Sequence, residues 1–309
     1  MKDLKTPINN YLHYCQYQKR LNEKTLKAYR IDLRQFLACF PETAPSEITP
    51  EMLETFIADL HQKYKPKTVK RKIASLKALF HYFEYKDLLK QNPFHKIQVN
   101  FREPIILPKT IPLRILETLL STIYDQLFQA KTLHRQKSIL RDAAVIELLF
   151  ATGMRISELC SLKPESIDLC DQTVLIYGKG SKERKLQIGN PDVLRLLKSY
   201  KNNFQKTIQD CGYFFVNQNG RKLSDQSVRR IINKYTVLAA IDFHITPHMF
   251  RHTFATSLLE ADVDIRYIQK MLGHSSINIT EIYTHVDMSK QRSILETKHP
   301  RNHFQLSLM

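Results

Sequence analysis

Short stretches of this chain place side chains that could act on a phosphodiester. In Ala151-Thr152-Gly153-Met154-Arg155 the glycine is expected to end one helix, with Arg155 opening the next. An arginine there meets the partial positive charge of a helix start, which becomes sensible if an anion binds both. The alternative is a surface arginine paired with Glu158 at i+3. Lys179 stands between Gly178 and Gly180 in an expected hairpin tip, mobile enough to enter a site from outside. His248 and Arg251 are i, i+3 neighbours on a helix that Thr246 caps and Pro247 starts. The alternative for this pair is a satisfied structural contact. His274 follows Gly273, an expected left-handed cap, and sits at a tight junction between two helices. Tyr283 comes nine residues later, one of 14 tyrosines, in a place where a tyrosine ordinarily packs.

Cleaving a phosphodiester needs positive charge on the non-bridging oxygens, a nucleophile and a proton for the leaving 5′ oxygen. Without a metal, arginines must supply the charge, because their planar fork fits phosphate bidentately. The sequence offers little to a metal. Cys15, Cys39, Cys160, Cys170 and Cys211 contain no Cys-x-x-Cys pair, and their odd number argues against a disulfide framework. A reducing, cytosolic compartment is expected. Only 7 glycines occur and no Gly-x-x-x-x-Gly-Lys, so a phosphate loop of the motor type is excluded.

The charge balance points to a polyanion. In 309 residues there are 47 Lys and Arg against 30 Asp and Glu, a net +17. Nucleic acid is the first candidate partner and an anionic membrane surface the second. No apolar run approaches the roughly 18 residues of a spanning helix, and the first twenty residues hold no signal-peptide core. The first hundred residues carry 18 basic against 10 acidic, about twice as basic per residue as the rest.

Elements that must position these groups follow from the apolar spacing. Helices are expected over 22–40, from Pro50 with Thr49 as N-cap, and over 66–85. On the last of these, Lys65, Lys67, Lys70, Arg71 and Lys72 crowd together without an acidic neighbour, as expected of a phosphate-contacting face. Pro93, Pro104, Pro108 and Pro112 mark 92–112 as extended. We therefore divide the chain into a helical DNA-binding domain at 1–97, a linker at 98–112 and a second domain at 113–309. The second domain is expected to open with a helix over 141–151. Strands at 172–177 and 184–188 follow, and then helices again. The expected class is mainly α with a small antiparallel sheet.

These pieces resemble the tyrosine recombinase, or integrase, family over almost the whole chain. ATGMRISEL carries Arg155, YGKGSKERK carries Lys179, HMFRHTFAT carries His248 and Arg251, and LGHSSINITEIYTHV carries His274 and Tyr283. TLKAYRIDLRQF resembles the family's helical core-binding domain, and Lys298-His299-Pro300-Arg301 looks like the tail of its Xer-type branch. The resemblance implies site-specific cleavage and rejoining of DNA through a 3′-phosphotyrosyl link and a Holliday junction. Tyr283 is then the nucleophile, Arg155 and Arg251 the phosphate clamp, and Lys179 the leaving-group acid. His248 helps deprotonate Tyr283, and His274 hydrogen-bonds the phosphate. No cofactor and no metal are implied. The implied partners are duplex DNA with paired inverted sites and further copies of the chain as a tetramer, with a second recombinase or accessory regulator as an option. The implied place is the cytoplasm, at the nucleoid. A short tail helix at 289–296 is expected to dock on a neighbouring subunit, the alternative being its own domain. Segment 121–137 looks longer than the family's usual one, as an extended helix or a subunit contact, and 302–309 runs past the Xer-like ending. Both leave dimer resolution, integration and excision open. The competing readings are a type IB topoisomerase and a catalytically silent DNA-binding protein.

Overall fold

The apolar periodicity of the first hundred residues winds into helices that begin at their capping residues. The structure, a computed structural model, describes residues 3–98, 109–178, 183–273 and 288–304. The chain divides into two units, Met1–Ile106 and Leu107–Met309. In the first, α2 (Glu23–Cys39) starts where Asn22 Oδ1 accepts the Thr25 N–H at 2.9 Å. Helix α3 (Pro50–Lys63) starts where Thr49 Oγ1 accepts the Met52 N–H, and α4 (Pro66–Tyr85) starts on a proline that has no N–H to satisfy. Leu33, Phe36, Leu53, Val69, Leu79, Phe80 and Phe83 are wholly buried between these helices. The expected set lacked α1 (Lys5–His13), which continues into a π turn over Tyr14–Gln18 and adds Leu4, Ile8, Tyr11 and Cys15 to the same core. The extended reading of 92–112 gives way at its start. Asn92 Oδ1 accepts the Phe94 N–H at 3.0 Å, and Phe94 and Ile97 pack into the first unit.

The second unit is built around one helix. Ile111 is buried in this unit and donates its N–H to Thr253 Oγ1 at 2.7 Å. After it come α5 (Leu113–Phe128), α6 (Leu133–Thr152) and the short α7 (Ile156–Cys160). From Ala143 to Ala151 every residue of α6 is buried, the mark of a helix enclosed on all sides. Segment 121–137 is the end of α5, a short turn and the start of α6, with Phe128 and Leu133 exposed. A sheet of β1 (Ile167–Asp168), β2 (Thr173–Tyr177) and β3 (Glu183–Gln187) follows, antiparallel in that order, with Tyr177 paired to Glu183 and Ile176 to Arg184. Helices α8 (Pro191–Cys211), α9 (Asp225–Leu238), α10 (Pro247–Glu260), α11 (Ile265–Leu272) and α12 (Met288–Lys298) complete the unit. The class is the expected one, mainly helical with a small antiparallel sheet.

Two docking surfaces were open to the tail, a neighbouring subunit and its own domain. Through residue 304 it packs on its own unit. His299 Nε2 lies 3.0 Å from the Phe150 carbonyl of α6, and Asn190 donates to Asn302 Oδ1 at 2.7 Å. Arg301, fully buried, donates from Nε to Glu147 Oε1 at 2.8 Å, and Tyr124 Oη donates to the same carboxylate at 2.6 Å. Burial works against the Arg301 charge, but the facing Glu147 more than offsets it and holds its pKa above the usual value. A short helix gains little alone, so these anchors and the burial of Leu295 and Phe304 are what fix α12. Arg301→Ala should lower the stability of this unit by about 3–5 kcal/mol, because Glu147 would be left buried and unpaired. Urea denaturation measures it, and adding Glu147→Leu should recover most of the loss.

Candidate active site

Arg155 is placed by the turn that joins α6 to α7. Helix α6 ends on Gly153, whose φ of +58° lies in the left-handed region. A Cβ here would sit 2.7 Å from Phe254 Cδ1, so the position needs glycine for space as well as for backbone. Arg155 then becomes the N-cap of α7. Its N–H donates to Glu158 Oε2 at 2.8 Å and its Nη1 to Glu158 Oε1 at 2.9 Å. The pairing at i+3 is therefore present, and the side chain remains 36 % exposed.

Glu158 gathers a second arginine. Arg184, on β3, donates from Nη1 to Glu158 Oε1 at 3.0 Å and from Nη2 to Oε2 at 2.6 Å. Its Nε donates to the Met271 carbonyl at the end of α11 at 2.8 Å. Burial works against the Glu158 charge, but the hydrogen bonds from Arg184 and Arg155 win and bring its pKa below the usual carboxylate value. Arg184 is a residue that the reading of the sequence passed over. Period two along β3 puts it on the same face as the buried Leu186, opposite the buried Ile176. A charge on an inward face calls for a partner, and that was the available signal.

Among the described residues, Arg251 has no carboxylate partner. Its Nη1 donates to the Gly153 carbonyl at 2.9 Å and its Nη2 to the Leu272 carbonyl at 2.5 Å. Burial, with the like charge of Arg155 added, brings its pKa down to about 10, so it stays protonated at neutral pH. One turn earlier on α10, His248 is exposed. Helix α10 does begin at Pro247, although Thr246 makes no side-chain capping bond. Gly273 ends α11 with φ +64°. Lys179, His274 and Tyr283 lie outside the described residues. Among the described residues, no cluster of three or more His, Cys, Asp or Glu could hold a metal ion, and no helix is long and apolar enough to cross a membrane.

The arrangement brings two arginines to the Gly153 turn, one supported by the Glu158 carboxylate and the other by the carbonyls that end α6 and α11. Residues 118–290 match the Phage integrase family, and residues 8–86 match the SAM-like N-terminal domain of phage integrases. The chain belongs to the phage integrase family. It is a tyrosine recombinase, an enzyme of site-specific DNA recombination. A protein described as a tyrosine recombinase from Agathobacter rectalis is 64 % identical over 304 residues, covering 98 % of this chain and 99 % of its own. Tyrosine recombinase XerC of Thermodesulfovibrio yellowstonii is 34 % identical, covering 95 % and 96 %. The fold is similar to that of the XerH site-specific recombinase bound to palindromic difH substrate in a post-cleavage complex. The TM-score is 0.68 at 22 % identity, over 93 % of this chain and 80 % of that one.

The basic face of this recombinase's first unit is narrower than its sequence implied. Lys65, Lys67, Lys70 and Arg71 are exposed on α4 or at its start. Lys72 is not. Its side chain is 5 % exposed, and its Nζ lies 3.2 Å from Asp32 Oδ1, beside Gln35 and under the Tyr64 ring. Asp32, itself buried on α2, also takes hydrogen bonds from Arg71 and from Ser75 at 2.9 Å. The cause is helical spacing: 72 falls on the stripe of Val69, Ile73 and Leu76, where a charge survives only with a partner. Gly153→Ala should destabilise the second unit by about 1–3 kcal/mol through the left-handed backbone and the Phe254 contact. A thermal melt reads this loss. The same variant should cut DNA more slowly, because the Gly153 carbonyl is a support of Arg251.

Proposed function

We propose that Arg155, Arg251, Lys179, His248, His274 and Tyr283 carry the strand exchange of this recombinase. The observation that carries the reading is the joint placement of Arg155 and Arg251 about Gly153. Each is held by part of its guanidinium, and each group has five N–H donors to share. Nη2 of Arg155 donates no hydrogen bond among the described residues. Donors of this kind, fixed in advance by protein, stabilise the charge that gathers on the phosphate as a fifth oxygen bonds to it.

Tyr283 Oη attacks the scissile phosphorus and gives its proton to His248, while the bond to the 5′ oxygen breaks. Lys179 supplies the proton that the leaving 5′ oxygen takes. The result is a 3′-phosphotyrosyl link and a free 5′ hydroxyl. A 5′ hydroxyl from the partner strand then reverses the steps, and Tyr283 leaves. His274 donates a hydrogen bond to the phosphate throughout. One ester replaces another of similar energy, so no nucleotide triphosphate is consumed, and the covalent stage splits one hard transfer into two.

The duplex carries paired inverted sites, and four copies of the chain act on two of them. The palindromic substrate of the XerH complex supports inverted sites, and the Xer-type resemblance supports the tetramer. The first unit serves as the core-binding domain, with Lys65, Lys67, Lys70 and Arg71 toward phosphates. Dimer resolution and the integration or excision of a mobile element are both uses of this chemistry. A second recombinase or an accessory protein can set the order of strand cuts. The setting is the cytoplasm, at the nucleoid.

Tyr283→Phe should bind DNA as tightly as the parent, since one hydroxyl is lost, and form no covalent adduct on a denaturing gel. An adduct with this variant would reassign the nucleophile. Lys67→Ala with Lys70→Ala should reduce the log–log salt slope of binding by about 0.9 for each phosphate contact removed. Lys72→Ala should instead lower the melting temperature and leave the slope alone.

A further inference from the structure

Arg184 belongs to none of the roles above, yet it joins the supports of both arginines. Through Nη1 and Nη2 it grips both oxygens of Glu158, the carboxylate that also holds the Arg155 N–H and Nη1. Through Nε it takes the Met271 carbonyl, next in the chain to the Leu272 carbonyl that accepts from Arg251. The side chain is 9 % exposed, and Gly273 leaves the room for it: a Cβ there would stand 3.1 Å from Arg184 Nη1.

We infer that Arg184 is a positioning residue of the cleavage reaction, setting Arg155 and Arg251 in register as one clamp by bridging Glu158 to the last turn of α11. This inference rests on the reading of those two arginines as the phosphate clamp. Without Arg184, Glu158 would keep one guanidinium and Arg155 could swing with it. The end of α11 would lose its tie to β3, and the Leu272 carbonyl would shift under Arg251. A lysine cannot replace the bridge, since one ammonium does not span both carboxylate oxygens and a carbonyl in a fixed fork. Arg251 makes no hydrogen bond from Nε among the described residues, whereas Arg184 has all three guanidinium nitrogens bonded to protein, so it is assigned to positioning and not to phosphate.

A mere fold defect and a misplaced clamp differ in which substrate reveals them. A clamp for charge matters when the phosphate is anionic. It matters little when one non-bridging oxygen is replaced by methyl, since a methylphosphonate carries no charge to balance. The test compares single-turnover cleavage by the full-length parent, Arg184→Ala, Arg184→Lys and Arg155→Ala on a phosphodiester site and on the same site with a methylphosphonate at the scissile position. Affinity is measured in parallel. Arg184→Ala should bind within about twofold of the parent and cut the phosphodiester about a hundredfold more slowly, the size of loss expected of a misplaced reacting group. Relative to the parent on the methylphosphonate, the loss should shrink to about threefold, as a charge clamp no longer contributes. Arg184→Lys should fall between and show the same relief, which keeps the test open if the alanine variant folds poorly.

Equal loss on both substrates, or no loss on either, would overturn the role of Arg184. Arg155→Ala separates the two claims. If Arg155→Ala is relieved by the methylphosphonate and Arg184→Ala is not, the clamp stands and only the inference fails. If Arg155→Ala is not relieved, the clamp reading fails and the inference goes with it.

Discussion

The ionised carboxylate of Glu158 is the group on which the charge arrangement around the Gly153 turn depends. It lies at the first turn of α7, side chain 5 % exposed, with the guanidiniums of Arg155 and Arg184 against its two oxygens. A carboxylate in that position would be costly alone, and so would two arginines held close together without an anion between them. Each makes the other tolerable. The arginines keep Glu158 charged, and Glu158 lets a cluster of cations exist at the Gly153 turn. Arg251 is handled differently. It lies against the Gly153 carbonyl at the end of α6 and the Leu272 carbonyl at the end of α11. Those carbonyls have no partner within their helices, and helix C-termini carry partial negative charge, so two of them can hold a buried cation without neutralising it.

Both supports converge on α6, which works as the spine of the unit. Along one side, successive turns meet different elements. Asp142 takes Arg141, Lys234 and Tyr235, Glu147 takes Tyr124 and Arg301, Phe150 offers its carbonyl to His299, and Gly153 offers its carbonyl to Arg251. Buried ion pairs of this kind add little net stability compared with apolar packing, but they fix which partner sits at which turn. The tail is read into place by Glu147 and Phe150, just below the turn that aims Arg155. Displacing the tail would disturb the same helix end that supports Arg251.

Much of this was legible in the sequence, and the failures have physical causes. The starts of α2, α3, α4 and α10 were readable because capping and proline chemistry are local. Of the six positions that the family resemblance marks, Arg155, His248 and Arg251 lie among the described residues, and Lys179, His274 and Tyr283 lie outside them. Helix α1 was missed although Leu4, Ile8, Tyr11 and Cys15 repeat at helical spacing, since its other faces are polar and Pro7 interrupts its first turn. Strand β1 is two residues long, too short for any period to show. The burial of Lys72 follows from periodicity, but its partner Asp32 is 40 positions away on another helix. A basic run read as charge alone gives no sign of such a partner. Arg184 and the docking of Arg301 on Glu147 were hidden for the same reason, because long-range pairs are decided by packing and not by neighbours in the chain.

The same residue type is held in three ways here, and the ways differ in which guanidinium nitrogens bond to protein and in how exposed they are. Arg301 is wholly buried against a carboxylate and is a fixture of the fold. Arg184 has three nitrogens bonded to protein and 9 % exposure, so it can transmit position but not meet a ligand. Arg155 gives one terminal nitrogen to Glu158 and keeps 36 % exposure, so it is the most open of the three. Arg184 and Arg155 share Glu158, while Arg301 is tied to Glu147 on α6. On the proposed reading of Arg155, the site holds more arginine than it would show to a substrate. Aiming a guanidinium requires a fixed carboxylate, a fixed buried carboxylate requires a second cation, and that second cation must be tied to a different element if it is to hold its place.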